Sequence, residues 1–466
     1  MKFKCSRTAL ASSLHLVLSY TTISHGFRTA MTHQEPNPPA WPESVVILRD
    51  TDDLETLKEK AYPTQDSWND EENTFTAETH FSDRRNVVFF APGKYINFDL
   101  EVGYYTQVAG LGTSPDDVQF YGKGPYVPAL NRHLHGGEDR TGTCLDTFWR
   151  SGENFANHAA EGMTWAVSQA SPLRRVHVIN DLYLHDNDAY ASGGHLANAV
   201  IDGHTHFGGQ QQYLSRNVKF GGGSSGGAWS ITYVGCEQPP NATSGVDSSA
   251  ANTIVENTPV RIEKPYVAMN GDKTTFQLRV PQVSHEKSDE PQASGDAEES
   301  RDFSLVKVAK ANESTLLIQQ ALNDGKDVVF SPGIYFLDES IEIKNDNQVI
   351  LGLGLATLVS PPGKPCIRVA PGTAGVRIAG VMLEAPQLDP NHRRKLTQHW
   401  SLLEFGAEGL KDEGDRLNPG ALFDIFCRVG GGGAANRRDW ISIDTMVRIH
   451  SGHVVGDNLW LWRAGK

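Results

Sequence analysis

The sequence predicts an all-β chain of two parallel β-helices in tandem, each opened by a short capping helix. Three observations predict it. The first is a long-period repeat. Val87-Val88-Phe89-Phe90-Ala91-Pro92-Gly93-Lys94-Tyr95 returns as Asp327-Val328-Val329-Phe330-Ser331-Pro332-Gly333-Ile334-Tyr335, and long-range self-similarity marks copies of one architectural unit. A second matching block follows each copy, Gln107 to Gly112 and then Gln348 to Gly354. The second observation is composition: 45 Gly against six Met, without a long run of helical periodicity, favours strands and turns. The third is a set of short runs with Val or Ile at every second position and a Gly, Asn or Asp turn soon after. Val376-Arg377-Ile378-Ala379-Gly380-Val381-Met382-Leu383 is the clearest, and Leu173–Val178, Val200–Gly203 and Met446–Ile449 are others. Stacked coils of this kind bury a continuous apolar column. A β-sandwich also has short strands; the duplicated opening favours the tandem β-helix.

Taken in order, residues 1–26 read as a secretory signal. Lys2, Lys4 and Arg7 precede the apolar stretch from Ala9 to Leu18, with small residues near Ser24 and Gly26. The prolines at 36, 38, 39 and 42 give an extended lead-in. A short helix is predicted from Asp52 to Lys60, with Leu54 and Leu57 inward. Pro-Gly at 92–93 is a sharp turn, because Pro presets the first corner and Gly tolerates positive φ at the next. The first β-helix domain is expected over 44–283. The stretch 284–301 is acidic, contains Gly, Pro and Ser, lacks aromatics, and reads as a linker. A second helix is predicted with Asn312 as N-cap, Leu316, Leu317, Gln320 and Ala321 within it, and Gly325 past its end. The second β-helix domain is expected over 302–466, with a polar insertion near Gln387 to Gln398.

At 466 residues the chain exceeds one ordinary core, so two domains are the natural count. Lys plus Arg number 42 and Asp plus Glu 56, a formal charge of −14. With no basic stripe, that balance argues against nucleic acid, whose binding rests on neutralising phosphates. No stretch after the signal reaches the ~18 apolar residues of a spanning helix. A soluble, secreted, extracellular monomer is expected. Cys144, Cys236, Cys366 and Cys427 permit two disulfides in three pairings, or four buried thiols. Asn241-Ala242-Thr243 and Asn312-Glu313-Ser314 are glycosylation sequons.

Several whole phrases carry a resemblance. They include Val102 to Gly112, Cys144 to Arg150, Trp165 to Ala170, Pro172 to His177, Ala191 to Gly194, Gly209 to Asn217, Arg261 to Tyr266 and Leu459 to Ala464. Over roughly residues 44–465 the chain resembles secreted proteins of the pectin-lyase-like superfamily, close to glycoside hydrolase family 55. The resemblance implies paired right-handed β-helices, a sugar-binding cleft between them and inverting exo-type cleavage of β-1,3-glucan. One departure matters. The family's general acid is a Glu in a Glu-x-Pro-Tyr phrase late in the second β-helix, and this sequence has none there. The sequence stops at Lys466, just after the Trp-Leu-Trp-Arg strand. The expectation is therefore a second unit cut short, or one that has lost its acid, and a chain inactive alone. Glu263-Lys264-Pro265-Tyr266 looks similar but sits at the end of the first unit and is not taken as the acid.

An inverting glycosidase sets a protonated carboxyl about 6.5–9.5 Å from a base that activates water. No catalytic acid is assigned here. The polar residues expected to face the cleft are Gln169, Gln211 and Ser215, which by resemblance position a water; polar ladders inside the β-helix are the alternative. Trp149, Trp165 and Tyr213 are candidates to stack on a sugar face, or to pack between coils. Arg150, Arg174, Arg175 and Arg216 either clamp a substrate or, by preference, pair with buried carboxylates such as Asp146 or Glu263. His204-Thr205-His206 and His133-Leu134-His135 put two rings on one strand face but lack a third ligand, so no metal is expected. The Gly runs at 221–227 and 430–433 lack phosphate-cradle spacing. No cofactor is expected, and the expected partner is a polysaccharide. The rivals to a hydrolase are a non-catalytic polysaccharide-binding β-helix and a polysaccharide lyase; the latter needs a Brønsted base near a neutralised uronate, often with Ca²⁺, and the sequence shows no acidic Ca²⁺-binding cluster.

Overall fold

The computed structural model describes residues 34–61, 68–69, 74–75, 83–129, 144–145, 147–187, 189–245, 250–285, 298–386, 400–430, 441 and 443–463. The expected signal peptide, Asp146, His133, His135, the insertion at 387–398 and Gly431 to Gly433 lie outside the described residues.

Among the described residues the chain is all-β with two short α-helices, and it forms two parallel β-helices side by side. In the first, the strands Val45–Leu48, Asn86–Phe90, Thr106–Gly110, Arg150–Asn157, Ser171–Val178, Gly194–Ile201, Gln212–Phe220, Ser230–Val234 and Ala251–Val255 form one parallel sheet. Each pairs with the strand one coil on. In the second, Val306–Ala309, Asp327–Phe330, Val349–Gly352, Arg377–Ala379, Gly420–Val429 and Val454–Arg463 do the same. The alternation of each strand sends one set of side chains inward and the other outward. In the first unit Phe155 pairs with Val176 and Ala199 with Val218, all fully buried. The Val-x-Ile run at 376–383 becomes the strands Arg377–Ala379 and Met382–Glu384, with Gly380 at φ 66° turning the corner between them.

Left-handed corners recur on successive coils. Asn154, Arg175, Asn198 and Asn217 lie at φ 61°, 51°, 53° and 53° in the first unit, and Asp424 and Asn458 at 49° and 63° in the second. Asn and Asp visit this region at low cost because their short polar side chains bond locally.

An antiparallel sheet of Tyr266–Met269, Phe276–Pro281 and Glu298–Asp302 joins the units. Residues 298–301, the end of the stretch read as a linker, are thus strand; residues 286–297 lie outside the described residues. This sheet shares an apolar cluster with Phe89 and Leu111 of the first unit and Leu351 and Phe423 of the second.

The helices differ in detail from the sequence reading. The first is Leu54–Ala61, and it buries Leu57 while Leu54 is exposed. The second is Thr315–Asn323, capped by Ser314, whose hydroxyl accepts from the Leu316 amide, and not by Asn312. Its buried face is Thr315, Ile318, Ala321 and Leu322; Leu316 and Leu317 point outward. All four described cysteines are free thiols. At the last described coil, Leu459 and Leu461 pair with Ile425 and Cys427 of the interior column but are themselves exposed.

Candidate functional site at the inter-unit cleft

The polar wall of the site is one corner of the first β-helix, repeated on successive coils. Ser168 anchors it: its hydroxyl donates to the Cys144 carbonyl and accepts from the Ser192 amide at 2.8 Å. The next two residues, Gln169 and Ala170, both lie in the left-handed region, at φ 50° and 62°. Two consecutive non-Gly residues there are strained, and such strain collects at functional sites. The Gln169 amide donates to the Ser192 carbonyl at 3.4 Å, and the Ser192 hydroxyl donates to Gln211 Oε1 at 3.1 Å. One coil on, the Trp229 amide donates to the Gln211 carbonyl at 3.1 Å. Gln169, Ser192, Gln211 and Trp229 therefore climb one edge, with Trp229 61% exposed at the top. Beneath them Gln210 is buried, donating to the carbonyls of Val167 and Leu184 and accepting from the Gly193 amide.

The facing wall comes from the second unit. Asn458 Nδ2 donates to the Ala170 carbonyl at 2.8 Å. Trp460 and Trp462 stack on each other, with ring centroids 5.5 Å apart, and meet Trp149 at 5.9 and 5.7 Å. Trp149 also stacks on Tyr105 at 5.0 Å and carries the Arg428 guanidinium over its face.

Behind this contact lies a buried ionic lattice that crosses between the units. Arg174 grips Asp424 through Nε and Nη2, at 2.9 and 2.7 Å, and reaches Asp457 through Nη1 at 2.8 Å. Arg216 forks onto Glu263 at 2.8 and 2.7 Å and onto Asp457 at 3.0 Å. His195 stands 3.5 Å from Asp457. Burial would raise the carboxyl pKa values, but the arginines outweigh it. Asp457 is held well below the usual carboxylate range by Arg216, Arg174 and His195. Asp424 and Glu263 are lowered against the same burial by Arg174 and Arg216 respectively. These acids are ionised and committed, so none of the three has the raised pKa of a general acid.

The structure sorts the sequence candidates. Gln169 and Gln211 come together on one edge of the first unit, bridged by Ser192. Ser215 does not: it is fully buried in the interior column, between Leu196 and Tyr233, and its hydroxyl has no hydrogen-bond partner. Trp165 and Tyr213 also lie in the first unit's core, at 0% and 3% exposure, so their role is packing and not sugar stacking. Tyr213 covers Gly194, where a Cβ would meet its ring at 2.7 Å. Trp149 lines the cleft but is buried under its aromatic neighbours. Arg216 takes the Glu263 pairing that the sequence offered as an alternative to substrate clamping. Arg150 lies over the Tyr104 ring and Arg175 over Tyr266, both buried. His206 binds Asp181 at 3.0 Å and stacks on Tyr183, while His204 bonds Ser225 and the Gly222 carbonyl.

Ser192, Trp229, Asn458, Asp424 and Asp457 escaped the sequence reading. Ser192 had a signal, since it precedes the turn glycines 193–194 inside a quoted phrase. The others depend on which coils stack.

The chain is similar to known glucan-acting proteins. Residues 306–466 match the family model of the LAM55 pectate lyase-like domain. The chain is 34% identical over 387 residues to an exo-beta-1,3-glucanase of Streptomyces sp. (strain SirexAA-E / ActE), across 82% of this chain and 59% of that protein. It therefore spans about three fifths of the relative's length. The solved structure of sacteLam55A from Streptomyces sp. SirexAA-E matches 94% of this chain and 72% of that one, at 29% identity and a TM-score of 0.77. A variant of sacteLam55A in complex with glucose matches with a TM-score of 0.78, also at 29% identity, over 93% of this chain and 72% of that one. These findings bear out the resemblance to glycoside hydrolase family 55 within the pectin-lyase-like superfamily.

Proposed function

We propose that this chain handles β-1,3-glucan at the inter-unit cleft, as a glycoside hydrolase-like protein with Gln169, Ser192 and Gln211 as its sugar- and water-holding wall. The observation that carries the reading is this polar column on a strained corner, facing the second unit, in a chain similar to an exo-β-1,3-glucanase. Amide and hydroxyl groups at fixed spacing can hold a sugar hydroxyl or an attacking water, and holding reactants in place supplies much of a catalytic barrier reduction. Trp229 offers an exposed aromatic face beside them, suited to pyranose C–H groups. The leader read at residues 1–26 accords with an extracellular polysaccharide as substrate.

A second reading is binding without hydrolysis. The pairing of Asp424, Asp457 and Glu263 with arginines accords with it, because these carboxylates are buried, held ionised and engaged in joining the units, so none of the three serves as the protonated acid of a glycosidase. Incubation with laminarin separates the two. Release of reducing sugar supports hydrolysis, and retention on insoluble β-1,3-glucan without release supports binding. Neither release nor retention would sink both.

A further inference from the structure

We propose that Asn458 is a positioning residue, holding the Gln169–Ala170 corner in place from the opposite side of the cleft. The proposal rests on the reading that this corner handles β-1,3-glucan. An amide nitrogen has two hydrogens and no acceptor capacity. Both are used: one reaches the Ala170 carbonyl at 2.8 Å, the other Asp424 Oδ1 at 2.7 Å. With acceptors on both sides, the amide has one workable orientation. Asp424 is itself fixed by the two-pronged grip of Arg174, a geometry that is directional as well as strong.

The connections close on themselves. Arg174 belongs to the strand Ser171–Val178, which begins immediately after Ala170. The second unit therefore grips this short segment at both ends, Ala170 through Asn458 and Arg174 through Asp424. Gln169 and Ala170 are strained, and strained residues persist only when their surroundings over-determine them. Within the first unit the Gln169 amide makes a long 3.4 Å bond to the Ser192 carbonyl. On the far side, Ala170 packs against the aromatic cluster of Trp149 and Trp460. Asn458 stands at φ 63°, a conformation that Gly and Asp also adopt, so its amide can be changed without changing the backbone.

The test uses Asn458→Gly and Asn458→Asp in the full chain, read by hydrogen exchange and by titration with laminarihexaose. Asn458→Gly deletes both bonds; Asn458→Asp sets a carboxylate against a carbonyl and another carboxylate. Both variants should exchange the amides of 169–171 at least about tenfold faster, with mid-strand amides at 196–201 unchanged. Both should also bind laminarihexaose about tenfold more weakly. Adding Asp424→Asn to Asn458→Asp restores a bond between those two positions but none to Ala170, so exchange at 169–171 should stay fast. Wild-type exchange at 169–171 in Asn458→Gly, full restoration in the double variant, or faster exchange with unchanged affinity would each overturn the proposal. If the wild-type chain fails to bind laminarihexaose, the functional reading falls, and the exchange data alone decide whether Asn458 holds the corner.

Discussion

In the first unit the Tyr95 hydroxyl lies 2.9 Å from the carbonyl oxygens of Leu48 and of Ala91. In the second the Tyr335 hydroxyl lies 2.9 Å from that of Ala309 and 2.8 Å from that of Ser331. The neighbouring rings agree too: Phe90 meets Tyr95 edge-on at 5.2 Å, and Phe330 meets Tyr335 edge-on at 5.0 Å. Where the units face each other, the likeness holds in the apolar cluster of Phe89 and Leu111 with Val329 and Leu351, and ends at the polar contacts. At the ionic lattice the first unit supplies the cations Arg174 and Arg216 and one anion, Glu263, and the second supplies the anions Asp424 and Asp457. At the cleft the first supplies amides and a hydroxyl, the second Asn458 and two tryptophans. The repeated phrases thus build the coils and the apolar part of the docking face, through Phe89, Leu111, Val329 and Leu351, while the ionic contacts and the Asn458 bond between the units come from side chains outside the repeat.

The largest break in this comparison should come from the lattice. Asp457→Ala leaves Arg174 and Arg216 buried with part of their counter-charge gone, and losing one partner of a buried pair costs about 3–5 kcal/mol. Denaturant unfolding should show that loss. A change under about 1 kcal/mol would mean that the lattice is hydrated and weak. The same carboxylates set a pH limit. Their pKa values are lowered in the fold, so their contribution is present above the unfolded value near ~4 and is lost as pH falls through the folded values. Thermal stability should thus hold from neutral pH to about pH 5 and decline below about pH 4.

The two tyrosines test the likeness directly. Tyr95→Phe and Tyr335→Phe should each cost about 1 kcal/mol, the usual net worth of a hydrogen bond. Unequal losses would show that the two bolts are alike in geometry only. A smaller effect belongs to the first unit. His177 lies 2.8 Å from Asp116 and 3.0 Å from Asp202, and despite partial burial these carboxylates raise its pKa. A raised pKa stabilises below the unfolded value near ~6.5 and fades as pH rises past the folded one. His177→Gln should therefore lose stability relative to wild type at pH 5.5 and little at pH 8, with the gap read from melting temperatures at both.

How much of this was legible follows from the range of each signal. The Pro-Gly phrases and the Val-x-Ile-x-Gly run are local, and the coils fold as they read; the helix before the second repeat forms in the expected stretch but is capped by Ser314 and not by Asn312. The inward or outward sense of single aromatics was not legible. Trp165 follows the strand Met163–Thr164, which belongs to another sheet, and Tyr213 lies in Gln212–Phe220, where a one-residue change in phase swaps faces. Ser215 failed for the same reason. The lattice was half legible: Arg216 with Glu263 was among the offered pairings, while Arg174 with Asp424 joins residues 250 apart whose meeting depends on how the units dock. Asn458 was hidden likewise, since only the docked strand brings its amide to Ala170.

If the column of Gln169, Ser192 and Gln211 holds β-1,3-glucan, as proposed, loss of either glutamine should weaken binding. Titrating laminarihexaose into the full chain and into Gln169→Ala and Gln211→Ala, followed by tryptophan fluorescence, tests it most directly. Binding should be saturable and weakened about tenfold by each substitution, equivalent to about 1.4 kcal/mol, with melting temperatures near wild type. Absence of saturable binding, or equal affinity in both variants, would contradict it.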